Sequence, residues 1–342
     1  MLDGQRHGRV PFNRLLAAMV IGFGTCWQAA ARSPHVENVG FSIVQADVSS
    51  EKPAKIGIWY PTKAPAAKHG IGLFIQTVAP DASVDGRRHP LIVISHGNAG
   101  TLEGHYDTAL ALAHAGFIVA AVRHPGDNAQ DQSRATHLED RPRTIHQVID
   151  YMLTAWSGHA AIDPARIGMF GFSAGGLTTL ISVGGVPDLT RVAPYCADHA
   201  ATFICTLLKT HPRESGATIP LTAWVADRRI KAAVVAAPAL GFVFSRNGLA
   251  KVRVPIQLWR AQDDQVLPSP DYAEPVRDRL PVKPEYHVVS SADHLDFLAP
   301  CSEALAHVEP VICQEHDGFN RAAFHRDFNR SVILFFQRTL GR

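Results

Sequence analysis

The chain has 342 residues, 46% hydrophobic and 19% charged, with 33 Lys and Arg against 31 Asp and Glu. That length allows one large or two ordinary domains, and it buries enough surface to fold without disulfides or a metal. The near-neutral charge includes no Lys/Arg run, so a nucleic-acid partner has no electrostatic footprint, and the Gly, Pro and aromatic contents exclude a disordered or fibrous chain.

Arg6, Arg9 and Arg14 precede an apolar run over 15–27, which is followed by Ala29, Ala30 and Ala31. A basic start, a short apolar centre and a small-residue end form the layout of a secretory signal peptide. The run is shorter than the roughly 20 residues that a membrane-spanning helix needs. The expectation is a signal peptide over 1–31 and an exported chain over 32–342, periplasmic or extracellular and without a stable membrane anchor. Cleavage would take away Asp3 and three arginines, moving the formal charge from +2 to zero. It would also take Cys26 and leave Cys196, Cys205, Cys301 and Cys313. Four cysteines allow three pairings, and the short separations favour Cys196–Cys205 and Cys301–Cys313.

In chain order, 41–48 and 55–60 read as an opening pair of half-buried strands, followed by Pro-, Ala- and Gly-rich punctuation up to Pro90. The β-branched run 91–95 is a strand buried on both faces. A helix over 102–114 stops at Gly116. Strand 118–122, helix 141–156, strand 167–170 and helix 174–183 follow. Strands 232–236, 256–259 and 286–289 come next, with helices between them and a last helix over 324–340. This alternation predicts an α/β fold, a mostly parallel sheet with helices on both faces. One stretch, 185–228, breaks the rhythm with Pro187, Pro194, Pro212 and Pro220, and reads as a cap or lid insertion in the single domain.

Gly171-Phe172-Ser173-Ala174-Gly175-Gly176 follows a strand and opens a helix, the context of a G-x-S-x-G nucleophile elbow. The tight turn exposes Ser173 Oγ at a helix N-terminus, and Gly171 and Gly175 let neighbouring backbone approach. A serine nucleophile needs a base and an orienting carboxylate, in this setting in the order Ser, Asp/Glu, His, each just beyond a strand. Asp263 and Asp264 qualify for the acid, and His294 for the base. His287 is expected to be packed or at the surface, and His307, His316 and His325 to lie on a solvated helical face. The oxyanion donors are expected to be the amides of Ala174 and, from the loop after strand 91–95, Asn98. His96 is expected to order that loop. Phe172 and Trp224 are candidate pocket walls. No H-E-x-x-H, paired C-x-x-C or phosphate-cradling Gly-rich motif is present, so neither a metal nor a cofactor is expected.

These motifs resemble the α/β-hydrolase superfamily. More narrowly, they are similar to its secreted dienelactone-hydrolase-like and platelet-activating-factor-acetylhydrolase-like esterases. The likeness is carried by Ser95-His96-Gly97-Asn98-Ala99-Gly100, by 116–120 leading to Arg123-His124-Pro125-Gly126, and by 163–168 running into the elbow. Asp264-Gln265-Val266-Leu267-Pro268 matches the acid loop and 291–297 the His loop, which is why Asp264 is preferred over Asp263. The resemblance spans about 40–340, with 185–228 unmatched. It implies the triad Ser173–Asp264–His294, with Asn98 and Ala174 serving the oxyanion. Dienelactone hydrolases carry cysteine at the elbow, so Ser173 favours carboxylic esters, either small molecules or polymers. The alternatives are a polyester or cutin-type hydrolase or a lipase and, from another class, a non-catalytic binding protein on the same fold.

Overall fold

The structure, a computed structural model, describes residues 38–47, 53–212, 219–314 and 318–341; the expected signal peptide, Cys26 and His316 lie outside them. Strands β1 (Asn38–Ala46), β2 (Ala54–Thr62), β3 (Ala67–Ile71), β4 (Phe74–Pro80) and β5 (His89–Ser95) precede α1 (Tyr106–His114). Next come β6 (Ile118–Arg123), α2 (Asp140–Thr154), β7 (Ile162–Phe172) and α3 (Ala174–Ser182). The short helices α4 (Val192–Asp198) and α5 (Phe203–Thr210) fall within 185–228, the stretch expected to be an insertion, after which β8 (Ile230–Ala236) resumes the sheet. The rest is α6 (Arg246–Leu249), β9 (Ile256–Ala261), α7 (Ala273–Arg279), β10 (Glu285–Val289), α8 (Glu303–Val308) and α9 (Arg321–Leu340).

One ten-stranded sheet has the order β10-β9-β8-β7-β5-β6-β2-β1-β4-β3. From β6 to β10 all pairings are parallel, while β2 runs antiparallel to both β1 and β6. Alternate side chains of a strand point to opposite faces, so a continuously apolar strand needs cover on both. Along β5, Leu91 and Val93 join Ile145 and Ile149 of α2 and Leu177 and Leu180 of α3. Ile92 and Ile94 join Ala109 and Leu112 of α1 and Phe328 and Phe336 of α9. The predicted two-faced parallel sheet is therefore present.

Three expectations are corrected. The stretch read as punctuation contains the antiparallel β3–β4 hairpin, in which Ile71 opposes Phe74 across a two-residue turn with Gly72 at φ +58°. The helix expected over 102–114 begins only at Tyr106, because residues 101–105 form turns around Gly104. Between β8 and β9 there is only one turn of α-helix, α6, with a 3-10 turn before it, in a segment interrupted by Pro238, Gly241 and Gly248. A Cβ on Gly241 would collide with the Tyr272 carbonyl oxygen, so the chain there runs directly against the segment entering α7.

Candidate active site

Strands β5 and β7 are paired with Ser95 beside Gly171, so the loops leaving their carboxyl ends meet. That edge of an open parallel sheet is where ligands bind. Ser173 occupies the turn between β7 and α3 at φ +55° and ψ −118°, a strained conformation for a residue with a side chain. A Cβ on Gly175 would collide with the Ser95 carbonyl oxygen, and one on Gly171 with the Gly175 carbonyl oxygen. Both elbow glycines are thus dictated by backbone approach. The turn is also tied to β8, since Ser173 N–H donates to the Ala236 carbonyl at 3.0 Å and Ala239 N–H donates to the Ser173 carbonyl at 3.0 Å.

The structure brings Ser173, Asp264 and His294 together. His294 Nε2 lies 3.0 Å from Ser173 Oγ, and its Nδ1 lies 2.8 Å from Asp264 Oδ2. All three residues are buried, with 8%, 7% and 3% exposure for Ser173, Asp264 and His294. Asp264 Oδ1 accepts the amides of Val266 at 3.0 Å and Leu267 at 2.6 Å, which leaves Oδ2 for the imidazole. Asp263 is exposed, and its amide donates to the Ala292 carbonyl at 2.9 Å. A carboxylate against Nδ1 keeps the imidazole proton there, so Nε2 is the nitrogen able to accept from the serine hydroxyl.

The loop carrying His294 is held from behind. Asp293 Oδ1 accepts the amides of His294 at 2.7 Å and Gln265 at 2.8 Å, stitching the His loop to the acid loop. Asp293 N–H in turn donates to Asp296 Oδ2 at 2.8 Å, and Arg321 Nε donates to Asp296 Oδ1 at 3.0 Å. His325, expected on a solvated face, is instead 2% exposed. Its Nδ1 pairs with Asp107 Oδ2 at 2.7 Å and its Nε2 with the Asp296 carbonyl at 2.9 Å. The start of α9 is thus a polar anchor rather than a free face. The disulfides Cys196–Cys205 and Cys301–Cys313 are both formed, and the second closes the segment whose Ile312 carbonyl accepts from Arg321 Nη1 at 2.7 Å.

The loop after β5 lies against Ser173, because a Cβ on Gly97 would sit 3.3 Å from Ser173 Cβ. Among the described residues, neither the Asn98 amide nor the Ala174 amide has a hydrogen-bond acceptor. Two unpaired N–H groups beside a serine hydroxyl that is hydrogen-bonded to an imidazole are able to receive a developing oxyanion. Both ring nitrogens of His96 are engaged: Nδ1 donates to the Gly97 carbonyl at 2.6 Å and Nε2 accepts His124 N–H at 3.1 Å. Burial, and then the positive charge of Arg141, push its pKa down to about 3, so the ring is neutral and orders the loop.

Phe172 is 3% exposed and packs its ring 4.7 Å from that of His294, supporting the imidazole from within the core. Trp224 lines a cleft of about 500 Å³ with Leu138, Ile204, Leu208, Ile219 and Leu240, mostly from the insertion. Among the described residues no group of three or more His, Cys, Asp or Glu is gathered to hold a metal, and no helix is long and apolar enough to cross a membrane. Sequence reasoning did not find the supports: Asp127, Arg141, Asp293, Asp296 and Arg321. In the sequence they stand among other polar residues, so only their hydrogen bonds in the fold mark them out.

Residues 105–198 match the prolyl oligopeptidase family, Peptidase_S9. The chain is 30% identical over 123 residues to the lasso peptide isopeptidase AtxE2 of Asticcacaulis excentricus, a match covering 32% of this chain and 18% of that protein. Its structure is similar to that of a ferulic acid esterase from Streptomyces cinnamoneus, with a TM-score of 0.59 at 18% identity over 92% of each chain. The fold is that of the α/β-hydrolases.

Proposed function

We propose that this chain is an exported serine hydrolase that cleaves carboxylic esters through an acyl-enzyme on Ser173. The observation that carries the proposal is the unbroken hydrogen-bond chain Ser173 Oγ–His294 Nε2–His294 Nδ1–Asp264 Oδ2, at 3.0 and 2.8 Å. His294 takes the hydroxyl proton as Ser173 Oγ attacks the ester carbonyl carbon, and Asp264 stabilises the imidazolium. The Asn98 and Ala174 amides hold the tetrahedral oxyanion. The C–O bond to the alcohol then breaks as His294 returns the proton to that oxygen. Water, deprotonated by the same imidazole, releases the acid and restores Ser173. Two disulfides support export, because such bonds persist in oxidising compartments. In this reading the insertion over 185–228 acts as a cap.

A second reading, hydrolysis of an amide or isopeptide bond, is favoured by the prolyl oligopeptidase match over 105–198 and by the isopeptidase relative. The same triad serves both reactions, and the leaving group distinguishes them. A panel of p-nitrophenyl esters graded by acyl length, run beside p-nitroanilide peptides, is expected to show turnover of the esters alone. Ser173→Ala should lower it by about 10⁴-fold or more. An organophosphonate should label the parent chain and not the variant. Near-parental ester turnover in Ser173→Ala would end the mechanism, and efficient peptide cleavage would move the substrate to the second reading.

A further inference from the structure

Arg141 stands at the start of α2 and Asp127 in the loop after β6, both 3% exposed. They form a buried ion pair, with Arg141 Nε donating to Asp127 Oδ2 at 2.7 Å. Neither is used in the proton transfers above. Yet the remaining polar contacts of the pair nearly all fall on the four-residue loop beside the nucleophile. Arg141 Nη1 donates to the His96 carbonyl at 2.7 Å, and Nη2 to the Gly97 carbonyl at 2.9 Å. Asp127 Oδ1 accepts from Asn98 Nδ2 at 2.7 Å and from the Ala99 amide at 3.1 Å. Four consecutive residues are therefore gripped, two through carbonyls by the cation and two through N–H groups by the anion.

We infer that the Arg141–Asp127 pair is a positioning device that aims the Asn98 amide into the oxyanion site. The inference rests on the serine-hydrolase reading and extends it to residues that never touch substrate.

The geometry follows from peptide planarity. In a trans peptide the C=O and the following N–H point in opposite directions. The cis peptides of the described residues do not include Gly97–Asn98. With the Gly97 carbonyl turned to the guanidinium, the Asn98 N–H must point away from it. Gly97 itself lies against Ser173. The Asn98 side chain, which would compete for that space, is drawn off to Asp127. The Ala99 amide is occupied by the same carboxylate and so does not compete with Asn98 N–H for the oxyanion. Ala99 adopts φ +52°, a conformation that the Asp127 contact helps to hold. A cation on the carbonyl also polarises the peptide and strengthens its N–H as a donor, and a planar five-donor fork can span two successive carbonyls where an ammonium cannot. The opposite charge of Asp127 keeps the buried unit neutral.

Arg141→Lys keeps the charge while losing the fork. The expected result is a fall in kcat of about 10–100-fold on a p-nitrophenyl ester, smaller than the roughly 10²–10³-fold cost of removing an oxyanion donor because the amide is misdirected and not lost, with KM changed less than about threefold. Affinity for a boronic acid, whose tetrahedral adduct mimics the oxyanion, should fall by the same factor. Organophosphonate labelling should slow yet still reach one label per chain, which shows that Ser173 and His294 remain competent. A merely structural ion pair would lower the melting temperature and the number of active chains, with parental kcat per labelled serine. That outcome overturns the inference while leaving the serine-hydrolase reading intact. Absence of labelling in the parent chain would instead overturn the reading on which the inference depends. Should Arg141→Lys fail to fold, Asn98→Ala cuts only the side-chain tether to Asp127. It should lower kcat several-fold at unchanged KM, and parental kcat there counts against the inference equally.

Discussion

Ser173 and His294 were legible because each sits where topology puts a reacting group, one residue past β7 and a few residues past β10. The choice between two adjacent carboxylates was harder, since spacing alone allowed both Asp263 and Asp264. The structure separates them by burial and by hydrogen bonds. Asp264 points one oxygen at His294 and the other at two amides, whereas Asp263 is exposed. Replacing Asp264 by Asn removes the charge that stabilises the imidazolium and puts the wrong tautomer within reach. The expected loss in kcat is about 10³–10⁴-fold. Asp263→Asn should stay within about threefold of the parent. Ester-hydrolysis kinetics on the two variants check this, and a larger loss in Asp263→Asn would transfer the acid's role. The position of Phe172 was not legible, because an apolar residue inside the elbow fits either a pocket wall or a core. In the folded chain its ring lies against His294.

The parallel strands announce themselves by continuous apolar runs, and β5 to β9 are found close to where those runs lie. The β3–β4 hairpin did not, for a physical reason. Ala67, Lys68 and Gly70 are exposed in β3, and only every second residue of Phe74–Val78 in β4 is buried. A half-wet hairpin needs little apolar patterning, and its one local sign was Gly72 at the turn, as two-residue hairpin loops favour. The N-terminus of α9 shows the same limit. Its expected start at Phe324 follows the apolar periodicity, but the helix begins at Arg321, capped by Asn320 Oδ1 on the Ala323 amide at 2.8 Å. Arg321 is 2% exposed and links α9 to Asp296, to the Ile312 carbonyl and, at 3.0 Å, to the Gln314 carbonyl. Arg321→Gln leaves the Asp296 carboxylate buried without its cation. The expected destabilisation is about 3–5 kcal/mol, read as a lower urea midpoint. Because Asp296 also accepts the Asp293 amide, the loss should reach the His294 loop and lower the fraction of chains that an organophosphonate can label. Parental stability in this variant would show that water or another cation replaces the guanidinium.

At the scale of the whole molecule, buried histidines near the sheet's carboxyl edge tie folding to pH. His96 and His105 are both almost fully buried, and burial is the first cause of their lowered pKa values, about 3 for His96 and about 4 for His105. Arg141 adds to the effect at His96, and His124 is lowered too, by burial first and then by Arg141. In the unfolded chain these rings titrate near 6.5, so between that pH and the folded value the unfolded state binds more protons. Stability is therefore fully present above about pH 6.5 and declines as pH falls toward the folded values. His105 isolates one such contribution. Neither of its ring nitrogens completes a side-chain hydrogen bond, and its ring meets those of Phe170 and Phe172 edge-on at 4.9 and 5.4 Å. Apart from a backbone contact with Phe297 the ring acts mainly through shape, so His105→Leu removes the titration and keeps most of the packing. At pH 7.5 the variant should lose little. At pH 4.5 the parent carries a His105 cost of about 2.5 kcal/mol that the variant lacks. The gap between their urea midpoints should therefore narrow or reverse on acidification, and the slope of unfolding free energy against pH should shrink by about one proton. Equal slopes for the two chains between pH 5 and 6.5 would mean that His105 takes up its proton inside the folded protein, and of the three histidines only His96 and His124 would then contribute to the acid sensitivity.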